Sequence, residues 1–280
     1  MPLTRFARAL RPAPAVFLVL LAASATAQPA VEAPLDRVLG AVVGTDGLVD
    51  YRLLAREHRA DLDAALAAVA EQDPSALRTD DQKTAFLLNA YNAHVLALVL
   101  QTDAANLEDE DLFERFFETP VRIAGGAATL NQIEHGALRR QDRVDGAAVP
   151  RAVQALRPAR VDRRVHVGLN CAAVSCPPLG RRAFRASTLD ADLGRAWRAF
   201  VASPRAARVD GGRVVLSSLF DWFADDFETP RRPLGDLLAG AFASRPDAAP
   251  LRRALAGRTA ADLRADRDVQ FDYDWTVNRR

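Results

Sequence analysis

The side chains whose types and spacing suit nucleophilic chemistry fall in two short stretches. Residues 165–179 read VHVGLNCAAVSCPPL and hold the only two cysteines, Cys171 and Cys176, together with His166 and Asn170. A cysteine reacts as its thiolate, and an ordinary thiol with a pKa near ~8.5 needs an imidazole or other neighbour to supply that form at neutral pH. His135 is the first choice of partner and His166 the second. Asn131 and Glu134 have the spacing of a capping box, which places His135 in a first helical turn. The positive end of the helix dipole there keeps an imidazole neutral, as a base must be. Capping accounts for Glu134 as well as catalysis does. Adjacent helical residues point about 100° apart, so Glu134 is poorly placed to orient His135 itself. Asn89 and Asn92 lie three apart and share a helix face. A buried amide without partners costs about 1–3 kcal/mol, so tying their helix to neighbouring backbone is the simpler role. Orienting a catalytic group is the alternative.

These residues need elements to hold them. Val165, Val167 and Leu169 alternate with polar or small residues, which predicts a strand running into a loop that Pro177 and Pro178 end. Residues 83–100 are apolar nearly all round and follow a Thr79–Gln82 capping box, which predicts a central buried helix. His94 lies on another face of it from Asn89 and reads as a core histidine. An acidic helix is expected over 106–118, hairpins around 121–130 and 208–216, and a helix over 189–201. Ser217 or Ser218 starts a further helix whose Phe220, Trp222, Phe223 and Phe227 read as core. The chain closes on a two-residue alternation of Val269, Phe271, Tyr273, Trp275 and Val277, which predicts a final strand. The sum is an α+β fold: a single domain with a mostly antiparallel sheet packed by helices around one buried helix.

Composition narrows the partners. The formal charge is +1 and no basic block stands out, so no nucleic-acid partner is implied. Arg5, Arg8 and Arg11, an apolar run from Ala15 and the small residues Ala25-Thr26-Ala27 predict a signal peptide over 1–27. A short lead (28–33) and one globular domain (34–280) follow. No later stretch is read as a membrane span. The expected location is the periplasm or the extracellular space, where Cys171 and Cys176 can form a disulfide. Such a short loop is worth about 2 kcal/mol. The spacing is not the Cys-x-x-Cys of thioredoxin-like proteins. His135, His166, Cys171 and Cys176 fit no standard zinc spacing, so no metal or other cofactor is assigned.

Several segments, in order, resemble the domain of unknown function 547 family. They are residues 85–93 (AFLLNAYNA), 130–139 (LNQIEHGALR), 166–179 (HVGLNCAAVSCPPL), 216–227 (LSSLFDWFADDF) and 273–278 (YDWTVN). The resemblance covers about residues 35–278. His94 departs from the family's usual aliphatic residue. The resemblance implies a rearranged papain-like or transglutaminase-like thiol fold, with Asn89, Asn92, Glu134, His135, His166 and Cys171 as its characteristic polar positions. It favours Cys171 over Cys176 as the working thiol.

The expected activity is a thiol-dependent hydrolase or acyl transferase acting on an amide or peptide-like substrate. Cys171 is the nucleophile, with His135 and Glu134 as catalytic partners. Asn89, Asn92, His166, Asn170 and Cys176 are binding positions, and backbone N–H groups of residues 171–173 are oxyanion donors if a helical turn begins there. The alternatives are a non-catalytic binding module and a glutathione-type redox protein carrying a Cys171–Cys176 disulfide.

Overall fold

The computed structural model describes residues 30–280; the expected signal peptide lies outside them. The predicted central helix is Asp80–Thr102. The Thr79 hydroxyl accepts the Gln82 N–H, and the Gln82 side chain accepts the Thr79 N–H, so the capping box is closed in both directions. Every residue from Thr84 to Val99 is buried. Among the described residues this is the one helix with the length and apolarity of a membrane span, and its surface is covered by the rest of the protein. Helices Glu32–Val42, Tyr51–Glu57 and Arg59–Glu71 form part of that cover. The chain breaks at His58 between the second and third of these.

Helix outweighs strand in this α+β chain. A small hairpin pairs Val121–Ile123 with Gly126–Ala128. The three-stranded sheet pairs Ala207–Asp210 antiparallel with Arg213–Ser217, as the sequence pattern predicts. Its third strand, Val269–Asp272, pairs with Arg213–Ser217 in parallel. From Tyr273 onward the chain leaves the sheet but stays extended. It crosses beside residues 172–175, where the Val174 N–H donates to the Thr276 carbonyl and the Asn278 N–H to the Ala172 carbonyl, both at 2.7 Å.

The strand expected at 165–170 is instead one helical turn, Val165–Gly168. The misreading has a physical source. Residues 165–170 are all buried, so the side-chain period carried no record of an exposed face. Val165 and Leu169 belong to the core around the central helix, whereas Val167 packs into a second core built from Phe200, Phe220, Phe227 and Phe242. That turn therefore sits at the seam of the two apolar clusters.

His94 is buried and donates from Nε2 to the Arg122 carbonyl at 2.9 Å. Burial pushes its pKa down to about 4, only partly opposed by that hydrogen bond. An unfolded histidine titrates near 6.5. The folded state's preference for neutral His94 is thus complete above that value and is lost as pH falls towards 4. His94→Gln, which keeps a donor for Arg122 but does not titrate, should flatten the fall in denaturant-measured stability across this window. An unchanged slope would show that other groups carry it.

Candidate functional site

Two amides of the central helix fix the segment that carries His166 and Cys171. Asn92 donates to the Gly168 carbonyl and accepts the Asn170 N–H, both at 2.9 Å. Asn89 does the same for Phe184, donating to its carbonyl and accepting its N–H at 2.8 Å. The backbone-tying role is what both side chains perform. Asn170 in turn donates to the Pro177 carbonyl and accepts from the Ala172 N–H and from Asn278. It spans the loop between the cysteines.

Cys171 and Cys176 are joined by a disulfide. Cys176 is fully buried, whereas Cys171 is half-buried and reaches a cleft of about 260 Å³. The Cys171 N–H donates to Cys176 Sγ at 3.0 Å. Ala172 sits at φ 66°, a left-handed conformation that costs a non-glycine residue about 1–2 kcal/mol. No helical turn begins at Cys171. The N–H groups of Cys171 and Ala172, expected as oxyanion donors, are already engaged with Cys176 Sγ and Asn170. The Tyr273 hydroxyl lies 3.0 Å from Cys171 Sγ and 3.2 Å from Cys176 Sγ. Disulfide sulfurs carry no proton, so the tyrosine is the donor to both.

The capping box expected at Asn131–Glu134 forms two residues earlier, at Thr129–Gln132. The Thr129 hydroxyl accepts the Gln132 N–H and the Gln132 side chain accepts the Thr129 N–H. Asn131 makes no capping hydrogen bond. The helix that follows, Gln132–Leu138, is a π-helix, with the Arg139 N–H donating to the Glu134 carbonyl five residues back. Such widened turns recur at functional sites. Glu134 is thereby released from capping and turns into the cleft.

Beside the disulfide stands a cluster of charges. His166 donates from Nε2 to Asp226 Oδ2 at 2.8 Å, and the same oxygen accepts Arg139 Nε at 2.5 Å. His166 Nδ1 is 3.6 Å from Glu134 Oε1, beyond hydrogen-bond length, and has no other partner. The imidazole is stacked on Phe223 at 3.9 Å between ring centroids. Burial alone would favour neutral His166, but the Asp226 hydrogen bond and the Glu134 charge outweigh it and hold its pKa above the ordinary value. Burial likewise opposes ionised Glu134 and Asp226, yet the His166 imidazolium and Arg139 hold both carboxyls below theirs. Arg139 also donates from Nη1 to His135 Nδ1 at 2.9 Å. A guanidinium cannot accept, so Nδ1 is unprotonated and neutral His135 carries its proton on Nε2. Burial, with the Arg139 and His166 charges, keeps it neutral against the pull of Glu134.

Glu134, His135, His166, Cys171 and Cys176 therefore line one cleft, with Tyr91, Arg139, Trp222, Phe223, Tyr273 and Trp275. Asn89, Asn92 and Asn170 stand behind it as supports. His94 is elsewhere, against the Arg122 carbonyl. Neither His135 nor His166 hydrogen-bonds a sulfur among the described residues. Asp226, Arg139 and Tyr273 were not singled out by sequence reasoning. Arg139, Asp226 and Tyr273 each sit inside one of the quoted segments, and Tyr273 is otherwise read as an apolar position of the final strand.

The fold and cleft define an α+β protein with a disulfide at the floor of a site between two cores. Residues 74–201 match the model of the family described as "Protein of unknown function, DUF547". The matched range holds the central helix, the π-helix and both cysteines; Asp226 and Tyr273 lie beyond it. No curated protein and no solved structure matches the chain. The papain-like or transglutaminase-like arrangement is not supported. Cys171 is tied to Cys176 in an irregular loop rather than standing free at a helix start.

Asp226→Asn would leave His166 and Arg139 without their shared anion. Removing one partner of a buried ion pair costs about 3–5 kcal/mol. In the wild type the His166 ring should remain protonated above the pH at which an ordinary histidine has lost its proton. In the variant its nitrogen chemical shifts should titrate at lower pH. Identical titrations would rule out Asp226 as the support of the charge.

Proposed function

We propose that this protein is an exported thiol–disulfide exchange protein whose working pair is Cys171 and Cys176. The observation that carries the reading is the asymmetry of the pair. Both cysteines line the cleft, but Cys171 is half-buried, while Cys176 is fully buried and its Sγ already accepts a backbone N–H. Exchange proceeds by attack of a thiolate on one sulfur and departure of the other, and it is faster when the leaving thiolate is stabilised. An incoming thiolate attacks Cys171 Sγ and forms a mixed disulfide. The electron pair of the broken S–S bond leaves on Cys176 Sγ, towards the Cys171 N–H. A second thiolate then attacks the small-molecule sulfur of the mixed disulfide, releasing an external disulfide and the Cys171 thiolate. Two external thiols are oxidised and the protein disulfide is reduced by two electrons; the thiols' two protons end on the cysteines. The leader-like residues before Gln28 fit a compartment in which the pair is made oxidised, and the cleft volume fits a small-molecule or peptide-like thiol.

A second reading, acyl transfer to an amide or peptide-like substrate by the Cys171 thiol, is favoured by the polar groups that share the cleft. It applies only to the reduced protein, since a disulfide sulfur is no nucleophile. In it His135, a donor at Nε2 when neutral, polarises the substrate carbonyl rather than taking the thiol's proton.

Treatment with a small-molecule disulfide such as oxidised glutathione, which exchanges with a free cysteine and releases one small thiol, followed by intact-mass measurement, tests the exchange. Cys176→Ser should accumulate one mixed disulfide on Cys171. Cys171→Ser should react at least about tenfold more slowly, because its remaining thiol is sealed from solvent. Equal reactivity of the two variants would overturn the assignment. Acyl-enzyme formed only after reduction would favour the second reading.

A further inference from the structure

The exchange leaves one group in contact with both reacting sulfurs unassigned. The Tyr273 hydroxyl bridges Cys171 Sγ and Cys176 Sγ at 3.0 and 3.2 Å. Its ring packs against two tryptophans that stack on each other, with centroids 4.7 Å from Trp222 and 4.6 Å from Trp275. Those contacts leave the hydroxyl little freedom to swing away from the sulfurs. A neutral disulfide is a weak acceptor and gives a buried hydroxyl little in return. A thiolate is a strong one, and hydrogen bonds to charged acceptors are worth roughly twice those to neutral acceptors.

We propose that Tyr273 is a catalytic residue of the exchange, donating its hydroxyl hydrogen to Cys176 Sγ as that sulfur leaves. The proposal rests on the exchange reading above. When the incoming thiolate bonds to Cys171 Sγ, the S–S electron pair passes to Cys176 Sγ. The Tyr273 hydrogen, shared between two neutral sulfurs beforehand, then has one charged acceptor. The proton stays on the phenol oxygen. Burial, with Glu134 adding to it and Arg205 opposing, holds the phenol far above its ordinary pKa, so it acts as a donor and not as a proton source. With the Cys171 N–H it gives the Cys176 thiolate two donors, one from the disulfide loop and one from the last segment of the chain. The same pair lowers the cost of the reduced state, so Tyr273 acts on the position of the redox equilibrium as well as on its rate.

The test compares wild type and Tyr273→Phe under 2-mercaptoethanol, following loss of the disulfide by intact mass and the equilibrium in a glutathione buffer. The variant should be reduced about tenfold more slowly and be harder to reduce at equilibrium, as expected for loss of one hydrogen bond to a charged sulfur. In a Cys171→Ser background, the ultraviolet absorbance of the Cys176 thiolate should appear at higher pH when Tyr273 is phenylalanine. Incorporation of 3-fluorotyrosine, a stronger donor, should move the rate the other way. A wild-type rate, equilibrium and thiolate titration in Tyr273→Phe would overturn the role of Tyr273 while leaving the exchange intact. A wild-type disulfide inert to every small thiol would overturn the exchange, and the role of Tyr273 with it.

Discussion

Asn92 brings an amide into a helix that is buried on every side, and that amide must be satisfied. Its two hydrogen bonds, to the Gly168 carbonyl and the Asn170 N–H, are made to chain about eighty residues away. They lock both ends of a three-residue segment to the buried central helix. On one side of that segment hangs His166; on the other begins the disulfide loop. Gly168 itself lies so close to Leu88 and Leu193 that an added Cβ would meet their methyl groups at 3.1 Å. The backbone there approaches the helix as closely as glycine permits, which is what allows the Asn92 amide to reach it. The site is thus rigid from behind, where hydrocarbon and amides hold it, and open only towards the cleft.

The charges at the cleft form a closed set. Glu134 and Asp226 carry two negative charges; His166 and Arg139 carry two positive ones. Each would be costly to bury alone, and together they offset one another. Asp226 is the centre, because one of its oxygens serves both cations. Since Asp226 comes from the second core and Glu134 and Arg139 from beside the first, the cluster is also a polar bridge across the seam. Apolar packing alone would leave the relative position of the two cores to shape complementarity; directional bonds to a single carboxylate fix it more narrowly. The same neutral balance leaves no excess charge to activate a thiol, which favours assigning the sulfur chemistry to donors that touch the sulfurs.

The elements with a strong local signal were legible. The central helix shows its capping box and its unbroken apolar run, and the hairpin at 207–217 shows its Gly211–Gly212 turn between alternating residues. What was not legible depended on burial that sequence does not display. Residues 165–170 alternate as a strand would, yet all are covered, so the alternation marked two different cores rather than two faces. The polar positions of the site were visible as residue types, but not their pairing. Glu134 is adjacent to His135 and reaches His166 instead, and His135 is held by Arg139 four residues on. Both follow from a π-helical register that no local propensity announces.

The last segment of the chain shows why a pattern can be right in period and incomplete in meaning. Its alternation sends Tyr273, Trp275 and Val277 inward as read, but the sheet ends at Asp272 and the extended chain continues alone. What it pairs with is the disulfide loop: Ala173 faces Val277, Val174 bonds Thr276, and Asn278 holds Ala172 and Asn170. Ala172 keeps its left-handed backbone because these bonds surround it. An apolar tyrosine on a strand would have been satisfied by core packing. A tyrosine on a strand laid against a disulfide loop has its hydroxyl delivered to the sulfurs, so the backbone pairing that stabilises the loop also sets the donor in place.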